Sequence, residues 1–291
     1  MSTKQKAVLL MLCTAFLWSL AGVFIKIIEW SPLAIVCTRS LVATITMYFF
    51  VRKQKFEWSW PMLAAALSYA TFTHCIILST KLTTSANAVM MQYTAPIYVA
   101  FLSWFLLKEK IRRSDWLCLI AVIGGMALFF MDQMGSNNLI GNIIAIGNGL
   151  SFAFLSIFLR FQKNGHPEQS IFLGTLLAFL IGIPFTIGQS IPSPKSIVVI
   201  IIAGIVVSLG YRMFTEASKN LSALQSVMLP VLDPILNPVW VFLIVGERPS
   251  ITALLGGVIV LVAITLRSLF LMKEGSDQSA EKNTSSQSSP Q

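Results

Sequence analysis

Asp233 lies at the centre of a long apolar segment, and no other acidic residue in the sequence comes close to such a position. Asn237 follows one helical turn later and Trp240 a further turn on, so a helix presents all three on one face. Pro230, Pro234 and Pro238 recur at intervals of four in the same segment. Each lacks an N–H and frees a carbonyl one turn back. Backbone opened in that way at membrane depth is tolerated only against protein or a water-filled cavity. The Asp233/Asn237 face is therefore expected to line one. A carboxyl withdrawn from water favours its neutral form, which makes Asp233 the candidate proton carrier, with His74 behind it as a candidate relay.

Other side chains join this set. Arg39 sits two turns into an apolar segment, where its planar fork suits a substrate carboxylate. Together with Asp233 it would grip both ends of an amino acid. Asn87, Gln92 and Tyr93 precede Pro96 in a fourth segment, with Gln92 and Pro96 one turn apart. Trp18 and Tyr69 are aromatic candidates for packing against a ligand. Cys13, Cys37, Cys75 and Cys118 lie in apolar runs with no CxxC spacing and read as small buried hydrophobes. With two histidines and no HExxH, GxSxG or Walker motif, no metal site, cofactor or enzymatic centre is expected.

The elements that position these residues follow from composition. Hydrophobic residues make up 55% of the 291 residues and charged ones 11%, with mean hydropathy +0.76. That charge content is far below the roughly 25% of a soluble domain, so the chain is an all-α polytopic membrane protein. At about 20 apolar residues per crossing, ten spans are expected: 7–28, 32–51, 59–80, 84–106, 115–131, 138–159, 168–190, 196–214, 222–245 and 250–271. The run from Ala7 is too long for a signal peptide and is kept as span one. Residues 275–291 are Ser/Gln-rich and read as a disordered cytoplasmic tail.

Sixteen of the 21 Lys and Arg then fall on one side of the membrane and four on the other, with Arg39 inside a span. This bias puts both termini in the cytoplasm. It also accounts for the net charge of +9 without nucleic acid, the expected partners being the bilayer and a small-molecule substrate.

The sequence also repeats itself. Lys81, Val89, Met90, Pro96, Ile97 and Glu109 recur 138 residues on as Lys219, Val227, Met228, Pro234, Ile235 and Glu247. Lys26 and Arg160 end spans one and six in the same correspondence. Five spans per copy is an odd number, so residues 1–134 and 135–274 are expected as two inverted five-helix repeats, with a substrate site between them near the midplane. Glu109 and Glu247, beside Lys110 and Arg248, are expected to serve helix ends and loop pairing. Gly141, Ala145 and Gly149 form a small-residue stripe on span six, as do Ala121/Gly125 and Ala253/Gly257 on spans five and ten; such stripes permit close helix approach, within the chain or in a homodimer.

Several stretches carry a family resemblance: FLWSLAGVFIK (16–26), SPLAIVCTRSL (31–41), SANAVMMQYTAPIYVAFLSWFLLKEK (85–110) and SALQSVMLPVLDPILNPVWVFLIVGERPS (222–250). Together they resemble the EamA-type branch of the drug/metabolite transporter superfamily over about residues 7–271. The apolar span ending in a glutamate, found twice, is the most specific element. The resemblance implies a ten-helix secondary transporter in the cell membrane, without an ATP-binding part, that moves amino acids or other small metabolites, often outward. Alternatives from the residues are an uncoupled facilitator or exchanger of the same solutes, or a non-transporting sensor or assembly protein.

Overall fold

The computed structural model describes residues 3–108, 139–230 and 232–248, with parts of 116–125 and 251–266. Within them, eight helical stretches are long and apolar enough to cross a membrane: Thr3–Ile27, Pro32–Val51, Trp60–Leu82, Ser85–Leu107, Leu139–Phe161, Glu168–Phe185, Pro194–Ser218 and Ala223–Val245. These are spans one to four and six to nine of the sequence reading. Spans five and ten fall largely outside the described residues; Glu109, Lys110 and residues 275–291 fall wholly outside them.

Local chemistry sets the ends of these helices. Ser31 and Ser193 accept from the backbone N–H three residues on, at 3.3 and 3.2 Å, and each is followed by a proline that fits the first turn. Thr84 caps span four and Ser222 forms a capping box with Gln225 at span nine. These two caps are repeat partners. So are the stops: Lys108 (φ 53°) and Gly246 (φ 77°) both take the left-handed conformation, 138 residues apart, immediately before the paired glutamates. Glycine adopts that turn without a Cβ clash, whereas lysine pays about 1–2 kcal/mol.

Three spans are broken. Span one divides into Thr3–Ser19 and Ala21–Ile27, span four into Ser85–Gln92 and Ala95–Leu102, and span nine into Ala223–Met228 and Leu232–Val245. The breaks in spans four and nine occupy equivalent places in the repeat, just ahead of Pro96 and Pro234. Ser85–Gln92 packs against Leu232–Val245, and Ala223–Met228 packs against Ala95–Leu102, so the two broken spans run antiparallel. They meet at their breaks. Pro234 has no N–H to offer the Pro230 carbonyl; Tyr93 Oη donates to that oxygen instead at 2.7 Å, and the Asp233 N–H reaches it at 3.2 Å.

The two copies interleave. Span three packs on span six, and span eight on span one; span two packs on eight, and seven on three; span four packs on six, and nine on one. Among the described residues these cross-copy contacts form mirror pairs, with the span two–span seven and span four–span nine pairs on the axis. Close approach depends on small residues. A Cβ on Gly141 would stand 2.9 Å from the Leu82 carbonyl carbon, and one on Gly149 would stand 3.0 Å from the Met91 oxygen. The small stripe on span six is therefore spent on spans three and four of the same chain.

The glycine packing and the left-handed turn at Lys108 set the expected effect of three substitutions. Gly149→Val should destabilise the protein by about 1–3 kcal/mol through overpacking, while Gly147→Ala, whose Cβ meets only Cys75 Sγ at 3.9 Å, should change stability by less than about 0.5 kcal/mol. Lys108→Gly should raise stability by about 1 kcal/mol. Thermal unfolding in detergent checks all three, and equal effects at Gly147 and Gly149 would contradict the packing.

Candidate functional site: a central cavity

A cavity lies where spans one, two, three, four, eight and nine meet. Trp18, Arg39, Gln92, Asp233 and Asn237 all line it, so five of the sequence candidates converge from four spans. Its water-accessible volume is about 40 Å³, room for about three water molecules at roughly 10–15 Å³ each. An organic solute of metabolite size needs the walls to part.

Each polar group is held by its element. Asp233 falls in the first turn of Leu232–Val245, immediately after the break, where the free N–H groups of a helix start favour negative charge. Asn237 stands one turn further, and its Oδ1 accepts the Ser85 hydroxyl from span four at 2.8 Å. Arg39 Nη2 donates to Thr73 Oγ1 on span three at 3.2 Å. Gln92 Oε1 accepts from Asn148 Nδ2 on span six at 3.3 Å.

The electrostatics are unusual for a protein interior. Arg39 and Asp233 are each 4% exposed, and among the described residues neither belongs to an ion pair. Buried charges are ordinarily paired because desolvation costs several kcal/mol. Four cavity-lining residues carry a buried polar atom with no hydrogen-bond partner: Trp18 Nε1, Arg39 Nε, Tyr211 Oη and Asp233 Oδ1. Native interiors leave few groups in that condition. A cation, a carboxylate and two neutral donors thus face one small space with bonding capacity to spare.

One side of the cavity is an aromatic cluster. Trp18 lies 4.8 Å from Tyr211, 5.3 Å from Phe214 and 5.8 Å from Phe152, between ring centroids, while Tyr69 meets Tyr211 at 4.8 Å and Phe72 meets Phe152 at 5.3 Å. Such pairs add about 0.5–1.5 kcal/mol each beyond area burial, so this wall is rigid.

Other sequence candidates stand outside the lining. Tyr93 is committed to the Pro230 carbonyl. Trp240 Nε1 donates to Ser19 Oγ at 3.2 Å, stapling span nine to the break in span one. His74 Nδ1 contacts the Ala70 carbonyl of its own helix at 2.8 Å. Among the described residues, no cluster of His, Cys, Asp and Glu is built to hold a metal ion.

Thr73 and Tyr211 line the cavity and are not among the sequence candidates. A signal existed: they are 138 residues apart, so the repeat places them at equivalent positions on spans three and eight.

Comparison with known proteins identifies the architecture around this cavity. The EamA-like transporter family matches the chain twice, over residues 5–131 and 139–269. The chain belongs to the EamA-like transporter family. It is a multi-pass membrane protein. This EamA-like transporter is 23% identical over 94% of its length to the uncharacterized transporter YwfM of Bacillus subtilis, covering 97% of that protein. It is 24% identical over 89% of its length to the pseudopaline exporter CntI of Pseudomonas aeruginosa, covering 94% of that protein. A protein crystal structure superposes with a TM-score of 0.71 at 15% identity, covering 92% of this chain and 99% of the other, which establishes likeness of fold.

The hydrogen bond across the two breaks gives the prediction for this site. Tyr93→Phe should lower stability by about 1 kcal/mol, read by thermal unfolding; an unchanged midpoint would mean that the Pro230 carbonyl does not need the phenol.

Proposed function

We propose that this protein is a secondary transporter of small organic metabolites, zwitterionic amino acids foremost. Transport proceeds by alternating access around the central cavity, between two inverted five-span halves with both termini in the cytoplasm. One observation carries this reading: Arg39 and Asp233 line the same cavity, buried and, among the described residues, without ion-pair partners. A guanidinium recognises a carboxylate and a carboxylate recognises an ammonium. A solute bearing both groups would satisfy both buried charges at once, with its side chain against Trp18 and Tyr211.

The direction is outward. The supports are the resemblance of the spans and the likeness to a relative named as the pseudopaline exporter. Asp233 is also the group assigned to carry a proton. In that role it would exchange the proton for the substrate's ammonium, so binding of one releases the other. An uncoupled facilitator would use the same cavity without that exchange.

The test begins with intracellular and extracellular metabolites compared on overexpression, which supplies the substrate. Transport of that solute should fall at least tenfold in Asp233→Asn and in Arg39→Gln, while thermal stability holds or rises because a desolvated, unpaired charge has been removed. Wild-type transport in Asp233→Asn would remove the carboxylate from the mechanism. Substrate-driven proton flux in proteoliposomes separates the coupled carrier from the facilitator.

A further inference from the structure

A second polar assembly stands at one end of the cavity, and nothing in the site described so far uses it. Lys26 closes span one, and its Nζ lies 2.7 Å from Glu247 Oε2, just beyond the left-handed turn that ends span nine. The same ammonium donates to the Thr83 carbonyl at 2.9 Å. The other Glu247 oxygen accepts from the Ser85 N–H at 2.6 Å, at the start of span four. Three spans from both copies are thus tied at one point. Lys81 adds a strut, donating to the Ile28 carbonyl at 2.6 Å.

This assembly borders the cavity. Gly22 and Ile25 line the wall on the last turn of span one before Lys26; Thr80 lines it beside Lys81, and Val89 one turn after Ser85. It is also wired to the wall: Asn237 lines the cavity, Ser85 Oγ donates to Asn237 Oδ1 at 2.8 Å, and Ser85 N–H donates to Glu247. The contact is tight, because a Cβ on Gly22 would stand 2.5 Å from Asn237 Oδ1.

We propose that Lys26, Glu247 and Ser85 form a latch that closes this end of the cavity, and that Asn237 links the latch to whatever the cavity holds. The proposal rests on the transport reading and adds residues to it. Lys26 and Glu247 act as positioning residues: their ion pair is partly exposed (16% and 20%), so water reaches each partner as the pair opens. A solute that draws on Asn237 competes with the Ser85 hydroxyl, loosens the start of span four, and frees Glu247. Contiguous hydrogen bonds of this kind are a physical route for coupling a site to a gate.

The test is access to the wall, which needs no known substrate. Thr80→Cys is introduced after Cys13, Cys37, Cys75 and Cys118 are changed to alanine, and a membrane-impermeant maleimide is applied to intact cells and to inverted vesicles. Glu247→Gln keeps an acceptor for Ser85 but loses the charge, and Lys26→Met loses the cation. Each should raise the labelling rate on the order of tenfold, from the face bearing Lys26 only. Lys26→Arg, which preserves the pair, should label like the parent. Unchanged rates in both neutral variants, or equal increases from both faces, overturn the latch; elution of each variant as a single species separates opening from misfolding. Failure here would leave the role of Asp233 in transport standing, and failure there would leave this labelling result standing.

Discussion

Hydrocarbon offers no water to an open peptide group, and the architecture of this protein answers that constraint where spans four and nine are broken. Spans four and nine each interrupt their ladder near mid-length, at equivalent positions in the repeat. Neither interruption could face lipid. The spans cross there instead, antiparallel, so that the phenol of Tyr93 reaches the carbonyl that Pro234 leaves without a helical donor. Once that crossing is set, the first turn of the resumed helix must point inward, and Asp233 with it. The cavity lies here because broken backbone and buried charge are tolerated in the same kind of place.

The repeat builds the frame and its mismatches build the site. Equivalent caps, equivalent left-handed stops and mirrored helix contacts belong to both copies. Where chemistry is needed, the copies part: Ala95 corresponds to Asp233, and Thr73 to Tyr211. Thr73 supports the Arg39 guanidinium, whereas Tyr211 lines the cavity with an unpaired hydroxyl and packs at a tilt against Trp18. A symmetric cavity would offer the same group twice. This one offers a cation on one side and a carboxylate on another, which is what an asymmetric solute requires. Two unpaired buried charges also lower the stability of the resting fold, and the aromatic wall offsets part of that cost.

Much of this was legible before any coordinates. Apolar run length located the eight described spans, because a membrane crossing needs a fixed rise that few other sequences supply. Proline spacing announced the break in span nine. Asp233, Arg39 and Gln92 stood out because polar groups in apolar runs are rare. Tyr211 and Thr73 did not stand out, since tyrosine and threonine are ordinary fillers of a bundle. The partners of Tyr93 and Trp240 lie 137 and 221 residues away, and single-segment periodicity carries no information on such pairs. Glu247 stands at the helix end that the sequence indicates, but its partner Lys26 lies 221 residues away, beyond the reach of local spacing. Nothing in a lysine announces the left-handed turn at Lys108, although Gly246 marks the matching place.

Interleaving has a consequence for biosynthesis. Span three packs on span six, span one on spans eight and nine, and span two on spans seven and eight. Among the described residues, the first copy's helices are thus covered to a large extent by helices that leave the ribosome later. Until span nine arrives, the early helices must wait in the membrane with polar surfaces uncovered. The order of synthesis thus sets a vulnerable interval, and a nascent chain halted within it would be a natural substrate for membrane quality control.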